Sequence, residues 1–66
     1  MMTGIVINKY KGGLFKVKIE NNSMIILCTL SGKVRKHKIR ISLGDRVDVS
    51  IDIADITKGV IQWREK

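Results

Sequence analysis

The ten residues from Ser31 to Arg40, SGKVRKHKIR, hold five cations and no carboxylate: Lys33, Arg35, Lys36, Lys38 and Arg40. Cations at this density, unpaired by local acids, suit phosphate. An arginine fork can make two parallel hydrogen bonds to one phosphate, and a lysine supplies a mobile point charge. Ser31 and Gly32 open the run. They fit a plain turn, and equally a place where backbone N–H groups approach an anion. Lys16, Lys18 and Arg46 fall on outward strand positions and extend the charge. The plainer alternative is a solvated charged loop. The chain as a whole argues for the stronger reading, because 13 Lys and Arg against 6 Asp and Glu leave a net charge of +7 on 66 residues. A basic field of that density attracts a polyanion, and nucleic acid comes first.

Other chemistry is thin. Asp48 and Asp52 fall on the same outward strand face, with Asp45 and Asp55 near its ends. Paired carboxylates suggest acid–base work or a divalent ion. No partner histidine or phosphate-binding glycine loop accompanies them, so they read as solvated edge and turn residues. The chain has one cysteine and one histidine. A metal site needs more ligands than these, so no metal and no cofactor are expected. Cys28 lies in an apolar run and reads as a small core residue, which fits a reducing interior. His37, between Lys36 and Lys38, reads as solvent-facing. The aromatics are Tyr10, Phe15 and Trp63. Phe15 falls on an apolar face. Trp63 reads as partly packed, with an exposed stacking surface as the second choice. So few aromatics argue against free single strands and favour a folded RNA read through backbone and shape.

These residues must be held by short strands. Thr3 to Tyr10 is rich in β-branched residues and runs into the turn Lys11-Gly12-Gly13. Leu14 to Glu20 alternates, with Phe15, Val17 and Ile19 on one face and Lys16, Lys18 and Glu20 on the other. Asn21-Asn22-Ser23 connects it to Met24–Leu30, whose continuous apolar run predicts a strand covered on both faces or a barrel strand. Val34, Ile39 and Ile41 form no helical stripe, so the basic segment is expected to be a loop with at most one helical turn. Arg46 to Ile53 alternates, with Val47, Val49, Ile51 and Ile53 inward. Lys58 to Arg64 is the last strand, with Gly59 as its bulge or bend. Residues 1–66 therefore predict one all-β domain, a five-stranded antiparallel barrel with its longest connection between strands 3 and 4. The OB-fold has this organisation, and an SH3-like barrel is the alternative.

In its ordered motifs the chain resembles the bacterial and organellar translation initiation factor 1 family. The resemblance runs from Gly4 to Arg64. It rests on Gly4-Ile5-Val6, Leu14-Phe15-Lys16-Val17, Leu30-Ser31-Gly32-Lys33-Val34-Arg35-Lys36, Ile39-Arg40-Ile41, Gly44-Asp45-Arg46-Val47 and Asp55-Ile56-Thr57-Lys58-Gly59. The resemblance implies an OB barrel that binds the aminoacyl decoding site of the small ribosomal subunit. There it would touch ribosomal RNA and a neighbouring ribosomal protein, block premature tRNA entry and assist the other initiation factors. The family's RNA contacts map onto Ser31, Gly32, Lys33, Arg35, Lys36 and Arg40, with more at Arg46, Lys58 and Arg64. Where the family usually has an aromatic and an arginine, this chain has Ala54 and Val60.

The resulting expectation is a monomeric, non-enzymatic RNA-binding protein. No apolar run approaches the ~20 residues of a membrane span, so no membrane partner is expected. The site of action would be a bacterial cytoplasm or the interior of an organelle. A cold-shock-type single-strand binder or RNA chaperone is the alternative, and it would display aromatics on strands 2 and 3. Within the basic set, Arg35 and Arg40 are expected to outweigh Lys58 and the terminal Lys66.

Overall fold

The computed structural model describes residues Met2–Glu65. Five strands run in chain order: β1 (Met2–Tyr10), β2 (Leu14–Ile19), β3 (Ile25–Leu30), β4 (Arg46–Ile51) and β5 (Lys58–Arg64). One short helix, α1 (Gly32–Lys36), sits between β3 and β4. The strands close into a barrel in the order β1-β2-β3-β5-β4. Four seams are antiparallel, and the fifth, between β3 and β5, is parallel. The expected OB barrel is thus present, with one seam departing from the antiparallel pattern. That seam follows from the long connection after β3. A hairpin would have returned antiparallel, whereas the crossover through α1 and β4 brings β5 back in the direction of β3.

Period-two alternation places the core. Phe15, Val17 and Ile19 of β2, Val47 and Val49 of β4, and Ile61 of β5 all point inward and are buried. β3 obeys the same rule rather than being covered on both faces. Ile26 and Cys28 are buried, while Ile25 and Leu27 are exposed. The outer wall of this barrel faces water, so a continuous apolar run still shows one face to solvent. At the end of β4 the inward set stops early. Ile51 is half-buried at the rim, and Ile53 is 98% exposed. There the Asp52 side chain accepts from the Ala54 N–H at 2.9 Å and turns the chain out of the strand. The hairpin after β2 is built similarly: Asn22 Oδ1 accepts from the Met24 N–H at 3.0 Å, and Ser23 takes a positive φ of 56°.

Gly59 is not a bulge. It pairs in register with both Cys28 and Ile51. An added Cβ would lie 2.8 Å from the Ser50 carbonyl oxygen and 3.0 Å from Val49 Cγ1. Glycine is needed there because β5 is squeezed between two neighbours. The bulge falls three residues later. Val49 pairs with Ile61 and Asp48 with Trp63, leaving Gln62 without a partner. A second irregularity leaves Ile7 unpaired between Val6 and Asn8. Such bulges add twist and let a small sheet curl closed.

Candidate nucleic-acid interface

The basic segment is an ordered, capped helical turn. Ser31 is its N-cap, and its hydroxyl accepts from the Val34 N–H at 3.2 Å. The backbone N–H of Ser31 donates to Ile61, which ties the start of α1 to β5. Val34 is fully buried and anchors the helix in the core. Beyond His37 the Lys38 N–H donates to Arg35 and the Ile39 N–H to Val34, both at 3.1 Å. Lys38 between them has φ 52°. These two bonds form a Schellman ending, with a lysine at the left-handed position that glycine usually takes. Ile39 packs against the core beneath it. One apolar anchor on either side of the turn therefore leaves the charged side chains facing out.

Lys33, Arg35, Lys36, Lys38 and Arg40 are all exposed. Among the described residues no carboxylate lies within ion-pair distance of any of them. The ion pairs found are Arg46 with Glu20 and Glu65, and Lys58 with Asp55. Lys33, Arg35 and Lys36 also stand in the last turn of α1, where the helix dipole favours cations. Unpaired charges crowded on one turn repel each other, and an anion placed among them relieves that repulsion.

The other expected contacts separate into distinct places. Arg46 begins β4 beside the end of β5, at the same end of the barrel as α1. Its guanidinium is held 2.9 Å from Glu20, with Glu65 at 3.7 Å, so it is already ion-paired. The neighbouring Asp48 carboxyl holds the Glu65 carboxyl above its ordinary range. Arg64 is half-buried, and its guanidinium donates to the backbone carbonyl of Arg40. That bond braces the segment following α1. Lys58 starts β5 opposite Leu27, three residues before the Leu30–Ile61 pair beside α1. At ~3.3 Å per residue this puts it about 10 Å along the wall, and it is paired at 4.0 Å to Asp55. Lys16 and Lys18 lie on the outer face of β2, where Lys16 Nζ stands 6.0 Å from the Tyr10 ring. Lys66 lies outside the described residues.

The aspartates act on the backbone. Asp45 accepts from the Ser42 N–H at 2.8 Å, Asp52 from Ala54, and Asp55 from Thr57 at 3.0 Å. The bonds from Thr57 hold the Asp55 carboxyl below its ordinary range. No group of three or more metal-ligating side chains occurs among the described residues. Cys28 is fully buried, and burial pushes its thiol up to about 12.

Trp63 belongs at this end of the barrel, although its sequence position suggested partial packing. In strict alternation it would follow Gly59 and Ile61 inward. The bulge at Gln62 reverses the phase, so Trp63 pairs with outward Asp48 and is 37% exposed. Lys33 Nζ stands 4.6 Å over its ring, and His37 meets it edge-on at 6.0 Å. Nothing in the sequence marked this orientation, because the bulge that turns Trp63 outward is set by the pairing of β5 with β4.

This geometry describes a small OB barrel with one basic turn at its rim. The sequence model of a family described as the RsgA N-terminal domain matches residues 3–61. The crystal structure of YjeQ from Thermotoga maritima superposes with a TM-score of 0.81 at 32% identity, over 98% of this chain and 22% of that one. The solution structure of translation initiation factor 1 from the Wolbachia endosymbiont strain TRS of Brugia malayi gives 0.78 at 44% identity, over 97% of this chain and 75% of that one. Translation initiation factor IF-1 of Mycoplasmoides gallisepticum is 49% identical over 92% of this chain and 86% of its own length. The corresponding protein of Solibacter usitatus is 37% identical over 98% of this chain and 89% of its own length. The chain belongs to the translation initiation factor IF-1 family.

Proposed function

We propose that this protein docks as a monomer on the small ribosomal subunit, at the aminoacyl decoding site. There it touches ribosomal RNA and a neighbouring ribosomal protein, blocks premature tRNA entry and assists the other initiation factors. The observation that carries this reading is the set of five exposed cations on and just after α1, with no carboxylate of the described residues within ion-pair distance, in a chain of the IF-1 family. Lys33, Arg35, Lys36, Lys38 and Arg40 take phosphates, with backbone help from Ser31 and Gly32. Lys16, Lys18, Arg46, Lys58 and Arg64 contribute less, because they stand elsewhere, are ion-paired, or brace the backbone.

In this mechanism the protein works by occupancy. Affinity comes from releasing counterions as phosphates are neutralised. Specificity comes from a barrel that holds those cations rigidly against a folded RNA, since backbone contacts position a protein without reading sequence. No bond is made or broken, no cofactor is required, and the place of action is where ribosomes work, in a cytoplasm or an organelle. A cold-shock-type binder would stack bases on β2 and β3, whose outer faces here carry Lys16, Lys18, Ile25 and Leu27.

Co-sedimentation with purified small subunits tests the reading. The protein should pellet with the subunits, and an antibiotic occupying the decoding site should displace it. Failure to pellet, or indifference to the antibiotic, would contradict the proposed site.

A further inference from the structure

We propose that Glu20 sets the selectivity of RNA binding. Its carboxylate occupies the donors of Arg46 where a phosphate would sit, so an arbitrary polyanion gains nothing from this arginine and must bind through the basic turn. The inference rests on the RNA-binding reading above and gives a role to a residue outside the basic set.

The surroundings of Arg46 are built by backbone pairing. Glu20 directly follows β2, and its N–H donates to the Thr3 carbonyl of β1 at 3.0 Å. Glu65 directly follows β5, and its N–H donates to the Arg46 carbonyl at 2.8 Å. Both carboxylates therefore reach the guanidinium from fixed backbone. Glu20 engages it with both oxygens: Oε1 lies 2.9 Å from Nε, and Oε2 accepts from Nη2 at 3.1 Å. Glu65 brings a second carboxylate to 3.7 Å. Asp48, two residues along β4 from Arg46, pairs with Thr3 on the same wall. Three carboxylates thus gather about one guanidinium.

Two parallel N–H···O bonds from one guanidinium are also how arginine grips a phosphate. Glu20 is therefore an internal mimic of that ligand. Isolated exposed ion pairs contribute little, but a forked arginine–carboxylate pair within a network of further charges is the kind that holds. A phosphate arriving here must break both bonds and meets Glu20, Glu65 and Asp48 at short range. Repulsion of this kind is how a surface discriminates against the wrong partner. The five cations of the basic turn carry no such mask, since no carboxylate of the described residues lies within ion-pair distance of them. A flexible strand can wrap the barrel and would collect an unmasked Arg46 as an extra contact. A barrel docked by its basic turn on a folded RNA cannot turn to do so, and gains less.

The test measures binding to polyuridylate and to purified small subunits. It compares wild type, Glu20→Gln, Asp48→Asn and the double variant Glu20→Gln/Arg46→Gln, each first shown to melt cooperatively. Glu20→Gln should bind polyuridylate about fivefold more tightly, as one added forked contact allows. Its log affinity against log salt should steepen by about 0.7, the contribution of one phosphate on a single strand. Its affinity for small subunits should change by less than about twofold, so that discrimination between the two ligands falls. Asp48→Asn adds the same net charge without freeing the fork, and should stay near wild type on polyuridylate. The double variant lacks the guanidinium and should lose the gain. No gain in Glu20→Gln, an equal gain in Asp48→Asn, a gain kept by the double variant, or an equal gain on small subunits would overturn the role of Glu20 and leave the docking proposal standing. Failure of the wild type to bind small subunits would overturn the docking proposal, and the polyuridylate comparison would still decide whether Glu20 masks Arg46.

Discussion

The backbone N–H of Ile39 donates to the Val34 carbonyl at 3.1 Å, a bond that spans the basic turn and forces Lys38 between them to φ 52°. A β-carbon is strained in that region and glycine is not. Lys38→Gly should therefore stabilise the protein by about 1 kcal/mol, raising the melting temperature by roughly 4–8 °C. It should also weaken RNA binding slightly, because one cation is lost. Thermal melting and co-sedimentation of the same variant should move in opposite directions.

The antiparallel seam between β4 and β5 leaves no room at Gly59. A Cβ there would sit 2.8 Å from the Ser50 carbonyl oxygen, which belongs to the backbone and cannot rotate away. Gly59→Ala should cost on the order of 1–3 kcal/mol, as overpacking does elsewhere, and lower the urea midpoint. An unchanged midpoint would show that β5 can move away from β4 at no cost.

Val49 is completely buried, with no polar partner in the core around it. Val49→Asp should abolish cooperative unfolding, because an unpaired buried charge costs several kcal/mol against the small margin of a domain this size. Circular dichroism melting decides this. Retention of the wild-type curve would contradict the inward placement of β4.

Burial raises the Cys28 thiol from 9.0 to about 12. The folded chain thus keeps its proton while the unfolded chain loses it near the ordinary value. The stability contributed by the neutral thiol is fully present below the unfolded value and falls away as pH rises from about 9 towards 12. Comparing urea unfolding of wild type and Cys28→Ala at several alkaline pH values isolates this term. The stability gap between the two should narrow as pH rises, and a gap independent of pH would contradict the burial effect.

Much of this was written in local pattern. The alternation of Phe15, Val17 and Ile19 against Lys16 and Lys18 is a property of neighbouring residues, and the strands follow it. The charge of 31–40 is equally local. What could not be read depends on register and pairing. The parallel β3–β5 seam is set by where a distant strand returns. The phase reversal at Gln62 is set by a mismatch between two strands, so the outward face of Trp63 carried no sequence mark. The end of β4 was overrun because Ile51 and Ile53 continue the apolar alternation while Asp52 has already turned the chain. The ending of α1 was hidden because lysine, rather than glycine or asparagine, occupies its left-handed position. Arg46 looked like a free cation because Glu20, its partner, is 26 residues away.

If the basic turn meets about four phosphates, log affinity for small subunits should fall against log salt with a slope near −3 to −4. Titrations across a range of monovalent salt give the slope. A flat response would remove electrostatics as the main contribution.

The central claim is that binding resides in the unpaired cations of α1 and its following segment rather than in the net charge of the whole barrel. Arg35→Ala and Lys58→Ala remove one charge each, the first exposed and unpaired, the second paired to Asp55 at 4.0 Å and about 10 Å along the wall. A charge-assisted contact is worth roughly 1.5–3 kcal/mol. Co-sedimentation of both variants with small subunits at one fixed salt concentration should show Arg35→Ala binding about tenfold or more weakly, with its melting temperature nearly unchanged, and Lys58→Ala binding close to wild type. Equal small losses in the two variants would mean that the charge acts only as a diffuse field, and would contradict the assignment of the site to the basic turn.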